Sequence, residues 1–292
     1  MKNKVLALGY FDAIHKGHQM LLKKAEKIAS ERGDELLICT FGDDFYKSLG
    51  KESKEVFTLS ERKEILSKLG YNNILVLDTS KEFFDKSKEQ FLHYLVNLNP
   101  TAIVVGSDYR FGKNAKGKSC DLQVFFSKLN VKVEALDLLL EKDQKVSTTL
   151  IKEHLTSGDI KSVNRLLGFE YFLSGTVIKG RQVGSTLGIP TANIDISHNK
   201  LSPKDGVYVS KIEICDKTYL GVTNIGAHPT FNDDNFNVET HIIGFDSDIY
   251  CQDVKVKLIK YIRDIIQFNN KQELIDQIHN DMIIAKEEVL ND

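Results

Sequence analysis

Gly9-Tyr10-Phe11-Asp12-Ala13-Ile14-His15-Lys16-Gly17-His18 stands between a short apolar stretch, Val5 to Leu8, and a helical pattern from Gln19 to Ser30. A buried strand that turns through glycine into a helix leaves backbone N–H groups and the positive end of the helix dipole facing the turn, a setting that attracts phosphate. Two imidazoles flanking a glycine can donate hydrogen bonds to phosphate oxygens, and Gly17 lets backbone approach a ligand closely. Chance at this composition supplies H-x-G-H about once in 70 chains. The stretch predicts an α/β sheet with a nucleotide at the carboxyl end of its first strand.

Further candidate strands, Leu36 to Phe41, Ile74 to Leu77, Ala102 to Val105 and Val131 to Leu136, alternate with helical patterns at Ser60 to Leu69 and Gln90 to Leu98. That rhythm is one of βαβ units and a parallel sheet. Thr58 with Glu61 forms a capping box, and Gly33 and Gly70 are helix stops. After Gly168 the pattern becomes short β-branched or aromatic runs: Tyr171 to Ile178, Gly206 to Ile214, Thr218 to Asn224, Asn237 to Phe245 and Lys255 to Ile262. Turn residues punctuate these runs, which predicts an antiparallel sheet or small barrel. Lys271 to Leu290 closes the chain as an amphipathic helix. The boundary falls between His154 and Glu170, giving domains over 1–160 and 161–292.

The 292 residues suffice for two cores. Hydrophobic residues are 41% and charged ones 27%, ordinary globular usage, and no apolar run approaches the length of a membrane-spanning helix. A formal charge of −2 gives no overall bias toward nucleic acid or anionic lipid. Cys39, Cys120, Cys215 and Cys251 lack C-x-x-C pairing and read as reduced thiols, and Val5 to Leu8 is too short for a signal peptide core. The expectation is a cytoplasmic protein without membrane or nucleic-acid partners; the sequence leaves oligomeric state open.

Gly112-Lys113-Asn114-Ala115-Lys116-Gly117-Lys118-Ser119 matches the P-loop pattern literally, but Ser107 to Phe111 separate it from the preceding strand, where a working P-loop springs directly from one. A basic loop is the better reading. In the second half Gly175, Gly180, Gly184 and Gly188 lead to Pro190-Thr191-Ala192-Asn193. Such a glycine-spaced loop can wrap a polyphosphate, and Thr191 and Asn193 offer hard oxygen ligands suited to Mg²⁺. Alternation puts Asn237, Glu239 and His241 on one strand face, where Glu239 could accept a hydroxyl proton beside a bound triphosphate.

Together these motifs resemble the bacterial bifunctional riboflavin kinase/FMN adenylyltransferase family over essentially the whole chain. The series also includes Val105 to Gly112, Ser147 to Lys152, Gly206 to Tyr208, Gly221 to Gly226 with Pro229-Thr230, and Tyr250. The resemblance implies a Rossmann-like nucleotidyltransferase domain with a parallel sheet, joined to a six-stranded Greek-key barrel of riboflavin kinase type with a terminal helix. It implies phosphorylation of riboflavin by MgATP in the barrel, with Glu239 as base and Thr191 and Asn193 on the metal, then adenylylation of FMN to FAD and pyrophosphate in the first domain, with His15 and His18 at the phosphates. It places Gly9, Phe11, Asp12, Gly17, Asp108, Arg110, Ser147, Thr148 and Lys152 at flavin or nucleotide in the first domain, and Gly175, Lys179, Gly180, Gly184, Gly188, Pro190 and Asn224 in the second.

The departures lie in the first domain. Ala13 replaces a usual glycine and needs a negative φ. Gly42-Asp43-Asp44 stands where Pro-His-Pro is common, adding charge that repels phosphate. Lys152 stands where arginine is usual and loses the planar fork. The competing expectation is a chain with riboflavin kinase activity alone and a first domain that binds nucleotide poorly or serves structure.

Overall fold

The computed structural model describes residues 2–137, 139–141, 143–180, 188–227 and 236–290. Its contacts divide the chain into Met1–Leu150 and Ile151–Asp292. In the first unit β1 (Lys4–Leu8), β2 (Glu35–Phe41), β3 (Ile74–Leu77), β4 (Pro100–Gly106) and β5 (Lys132–Leu136) form one parallel sheet in the order β3-β2-β1-β4-β5. The apolar runs are continuous because the inner strands are buried on both faces: Val5 to Leu8 and Ala102 to Val105 are each at most 1% exposed. The longer helices are α1 (Lys16–Arg32), α2 (Leu59–Lys68), α3 (Lys88–Val96) and α4 (Ser119–Ser127). Helix α1 ends on Gly33 in the left-handed region, and α2 begins on the reciprocal Thr58–Glu61 capping box.

The P-loop-like stretch folds otherwise. Arg110–Phe111 pairs antiparallel with Gly117–Lys118 as a tight hairpin over a 3₁₀ turn. A Cβ on Gly117 would lie 2.6 Å from the Phe111 ring, so that glycine packs on an aromatic and does not wrap phosphate. Helix α4, which follows, has no counterpart in the sequence reading.

Helices α5 (Thr148–Ser157) and α6 (Ile160–Leu167), turning at Gly158, lead into the second unit. Its strands β6 (Phe172–Ile178), β7 (Thr191–Ile196), β8 (Gly206–Ile214), β9 (Lys217–Ala227), β10 (Phe236–Ile242) and β11 (Asp253–Arg263) close a barrel in the order β6-β7-β10-β9-β8-β11. In this Greek-key order β7 pairs with β10 and not with β8. Inside, the hydroxyls of Ser210, Thr223 and Thr240 satisfy one another at 2.7 and 2.9 Å. Outside, α7 (Lys271–Leu290) sets Ala285 against Val207, Val209, Val222 and Ile259.

Two expectations change here. The segment from Thr191 is a strand and not part of a loop, since Ala192, Ile194 and Ile196 alternate into the barrel core. Gly175 belongs to the barrel wall and not to a phosphate loop: a Cβ there would lie 2.1 Å from the Asp195 carbonyl, so the residue permits two strands to close up.

Candidate active sites

In the first unit a cavity of about 320 Å³ opens at the carboxyl ends of β1 and β4, the point where the strand order reverses. Gly9, Phe11, His15, Gly17, His18, Asp108, Ser147 and Thr148 line it. His15 is the N-cap of α1, its Nδ1 accepting from the His18 backbone N–H at 3.2 Å, and the two rings stack with centroids 3.7 Å apart. Because Nδ1 accepts, Nε2 of His15 carries the proton and is left as a donor. Burial pushes the His15 imidazole down to about 4; burial and the neighbouring His15 hold His18 well below its ordinary value. The pair is neutral in the ligand-free protein, and the buried Nδ1 of His18 has no hydrogen-bond partner.

The glycines of this turn make room for rings. A Cβ on Gly9 would lie 2.8 Å from Phe11, and one on Gly17 would lie 3.1 Å from His15. The left-handed residues of the turn are Phe11 and Ile14, with φ of 55° and 46°; Ala13 is not one of them, so its methyl carries no such strain. Thr148 starts α5, whose N-terminal end adds backbone donors to the cavity wall. Lys145 also lines the cavity, 2.8 Å from the Asp108 carboxylate.

Asp12 departs from its expected place. Its carboxylate is 1% exposed and does not line the cavity; it accepts from the backbone N–H of Val56 at 2.7 Å and of Phe57 at 3.4 Å. It fastens a loop to the turn. Asp43 likewise turns inward, accepting from the Leu59 N–H and standing 3.5 Å from the Arg62 guanidinium. Lys152 lies beyond the division, in the second turn of α5, and does not line the cavity. Arg110 lines a second, larger cavity of about 650 Å³ walled by Phe41, Phe45, Phe84, Phe91 and Phe111. Tyr10 and Tyr109 line both cavities.

In the second unit the residues of interest stand on the barrel's outer face. Register places Asn193, Glu239 and Asn224 directly across three adjacent strands, with Thr191 opposite His241. The Thr191 hydroxyl donates to the Glu239 carboxylate, and His241 Nδ1 lies 2.8 Å from the Pro190 carbonyl. Gly180 lies so close to the Asn193 amide that a Cβ would come within 2.1 Å of Nδ2. Gly188, with φ of 75°, turns the chain into Ile189-Pro190, and Gly184 lies outside the described residues. Lys179 is exposed, its ammonium 5.9 Å from the Tyr250 ring centroid.

Two cavities meet at Thr191. One, of about 290 Å³, runs between the outer face and α7, with Thr191, Asn224, Glu239 and His241 on one wall and Ile265, Phe268, Leu274 and Ile278 on the other. The other, of about 320 Å³, is lined by Val177, Pro190, Thr191, Asp248 and Tyr250. The sequence reading missed Lys145, Tyr10 and the apolar wall supplied by α7. Tyr10 stood inside the Gly9 to His18 stretch without a role, and only the amphipathic pattern of Lys271 to Leu290 pointed toward the wall.

A family model described as FAD synthetase matches residues 1–150, and one described as riboflavin kinase matches residues 167–289. The chain is 35% identical to the bifunctional riboflavin kinase/FMN adenylyltransferase of Listeria monocytogenes over 284 residues, 96% of this chain and 90% of that one. It is also 35% identical to the Bacillus subtilis protein of the same name, over 95% of this chain and 90% of that one. A solved structure from Streptococcus pneumoniae, described as a macrolide-efflux protein, superposes with a TM-score of 0.89 at 31% identity and covers 98% of this chain and 94% of that one. No helix among the described residues of the present chain is long and apolar enough to cross a membrane. With both halves matched in one order along one polypeptide, the chain belongs to the bifunctional riboflavin kinase/FMN adenylyltransferase family.

Proposed function

We propose that the chain makes FAD in two steps at two sites, and that the observation carrying this reading is the meeting of two cavities at Thr191, with Glu239 bonded to it. The cleft under α7 takes riboflavin, its ring against the apolar wall and its ribityl chain toward Glu239. The neighbouring cavity takes ATP beside Pro190 and Tyr250, with the Gly180–Asn193 approach bordering the triphosphate. Glu239 accepts the proton of the terminal ribityl hydroxyl as that oxygen attacks the γ-phosphorus, and the bond to ADP breaks.

Thr191 and Asn193 supply a hydroxyl and an amide oxygen, a hard donor pair that fits Mg²⁺ carried in on the nucleotide. The ion would neutralise charge on the β- and γ-phosphates. Among the described residues no group of three or more His, Cys, Asp or Glu could hold a metal by itself.

In the first unit a phosphate oxygen of FMN attacks the α-phosphorus of ATP, and pyrophosphate leaves. No protein nucleophile is needed. Neutral His15 offers Nε2–H to the developing charge, His18 Nδ1, which has no hydrogen-bond partner, stands ready for a second contact, and Lys145 and the N-terminal end of α5 hold the departing phosphates. The aromatic cavity takes the isoalloxazine ring, with Arg110 at its edge.

Chromatographic separation of flavins after incubation with riboflavin and MgATP tests both sites. Wild type accumulates FMN and then FAD. His18→Ala stops at FMN, with FAD formation down about 100-fold or more. Glu239→Gln makes no FMN from riboflavin yet still converts supplied FMN to FAD. Normal rates of both products in both variants would overturn the site assignments.

A further inference from the structure

Behind the aromatic cavity lies a buried cluster that neither reaction uses. Arg62 and Glu55 are each 1% exposed, and taking such groups out of water is costly unless their bonding is complete. Here it is incomplete: Arg62 Nε and Nη2 and Glu55 Oε2 have no hydrogen-bond partner, although Nη2 faces Asp43 at 3.5 Å and Glu55 at 3.9 Å.

The contacts that are made converge on one residue. Arg62 Nη1 donates to the Tyr10 carbonyl at 3.1 Å and to the Thr40 hydroxyl at 2.9 Å, and that hydroxyl donates to the same carbonyl at 2.6 Å. The guanidinium carbon stands 4.8 Å from the Tyr10 ring centroid, Phe45 stacks on the ring at 4.2 Å, and the phenol donates to Glu55. Backbone, ring and hydroxyl of Tyr10 are therefore each fixed separately. Tyr10 is also one of the two residues shared by the phosphate cavity and the aromatic cavity, and it directly precedes the left-handed Phe11.

We propose that Arg62 and Glu55 are positioning residues for adenylyl transfer: through Tyr10 they hold the wall between the two cavities, so that a flavin phosphate presented from the aromatic side meets the imidazole pair in register. Misplacing reacting groups by about 1 Å is enough to cost rate heavily, which gives such a clamp a catalytic consequence. The proposal rests on the reading that the aromatic cavity takes the flavin ring.

Five full-length variants test it, each assayed for FAD formation from FMN and for FMN formation from riboflavin. Tyr10→Phe deletes one hydroxyl, Arg62→Met removes the charge and the carbonyl contact, Arg62→Lys keeps the charge, and Glu55→Gln keeps an acceptor for the phenol. Phe84→Ala alters a cavity wall residue whose ring neighbours are Phe41, Phe45 and Phe83. Tyr10→Phe and Arg62→Met are expected to lower kcat for FAD formation about 5- to 10-fold, with Arg62→Lys intermediate and Glu55→Gln within about twofold of wild type. FMN formation stays within about twofold throughout. Wild-type kcat for FAD formation in Tyr10→Phe and Arg62→Met, or a parallel fall of both activities, overturns the proposal. Unchanged KM for FMN in Phe84→Ala removes the flavin-cavity reading beneath it, whereas a raised value there with unaffected cluster variants removes the positioning role alone.

Discussion

His15 couples the first cavity to stability through one proton. It is 6% exposed, and burial pushes its imidazole down to about 4, against about 6.5 in an unfolded chain. Between those values the unfolded chain binds a proton that the folded one refuses. Stability from this residue is therefore fully present above about pH 6.5 and is lost as pH falls toward 4, by an amount on the order of 3 kcal/mol. Thermal unfolding followed from pH 7 to pH 4.5 should show a falling midpoint. His15→Gln, which cannot titrate, should flatten that slope; an equal slope in wild type and variant would contradict the buried neutral state. Histidines kept neutral suit a site that receives polyphosphate, because the incoming charge restores the affinity for a proton that burial removed.

At the scale of elements, the contact between Gly180, just after β6, and Asn193 on β7 invites a direct test. An alanine methyl at 180 would press on the end of the Asn193 side chain and not on backbone, so the amide swings away at little cost to folding. Gly180→Ala should lower kcat/KM for riboflavin phosphorylation about tenfold or more while FAD formation from FMN is unaltered. Unimpaired phosphorylation would mean that Asn193 has no place at the metal or the triphosphate. The same two elements show what a sequence can disclose. The strand–turn–helix around His15 was legible because an unbroken apolar run, glycines and paired histidines lie within 15 residues. Strand β7 was obscured by the glycines before it, although Ala192, Ile194 and Ile196 carry the period of two. The inward turn of Asp12 was not legible because its partner, the Val56 N–H, lies 44 positions away, and local pattern holds no record of so distant a bond. Helix α7 was visible as a stripe of apolar residues, but a stripe says only that something apolar is covered. That it walls a cavity emerged from the barrel register that brings Glu239 and Asn224 to the same outer face.

For the whole molecule, the question is how ligands redistribute stability along a chain whose two units each bury their own core. A ligand bound only by the folded state adds about 2.7 kcal/mol at a hundredfold excess over Kd. In a unit of this size that moves a midpoint by the order of 10 °C. Mg²⁺ alone should do almost nothing, since the described residues offer it a hydroxyl, an amide and single carboxylates and no assembled cage. Calorimetry of the full chain should therefore show no shift above about 1 °C with millimolar Mg²⁺ and a shift of several degrees with Mg²⁺, ADP and riboflavin together. Chelation in the presence of the same nucleotide and flavin should reverse most of that gain. In Glu239→Gln the shift should persist, because that substitution removes the proposed base and leaves both cavities and the proposed metal ligands Thr191 and Asn193 in place. A large shift with the ion alone would show a resident metal site and would require the donor set at Thr191 and Asn193 to be redrawn.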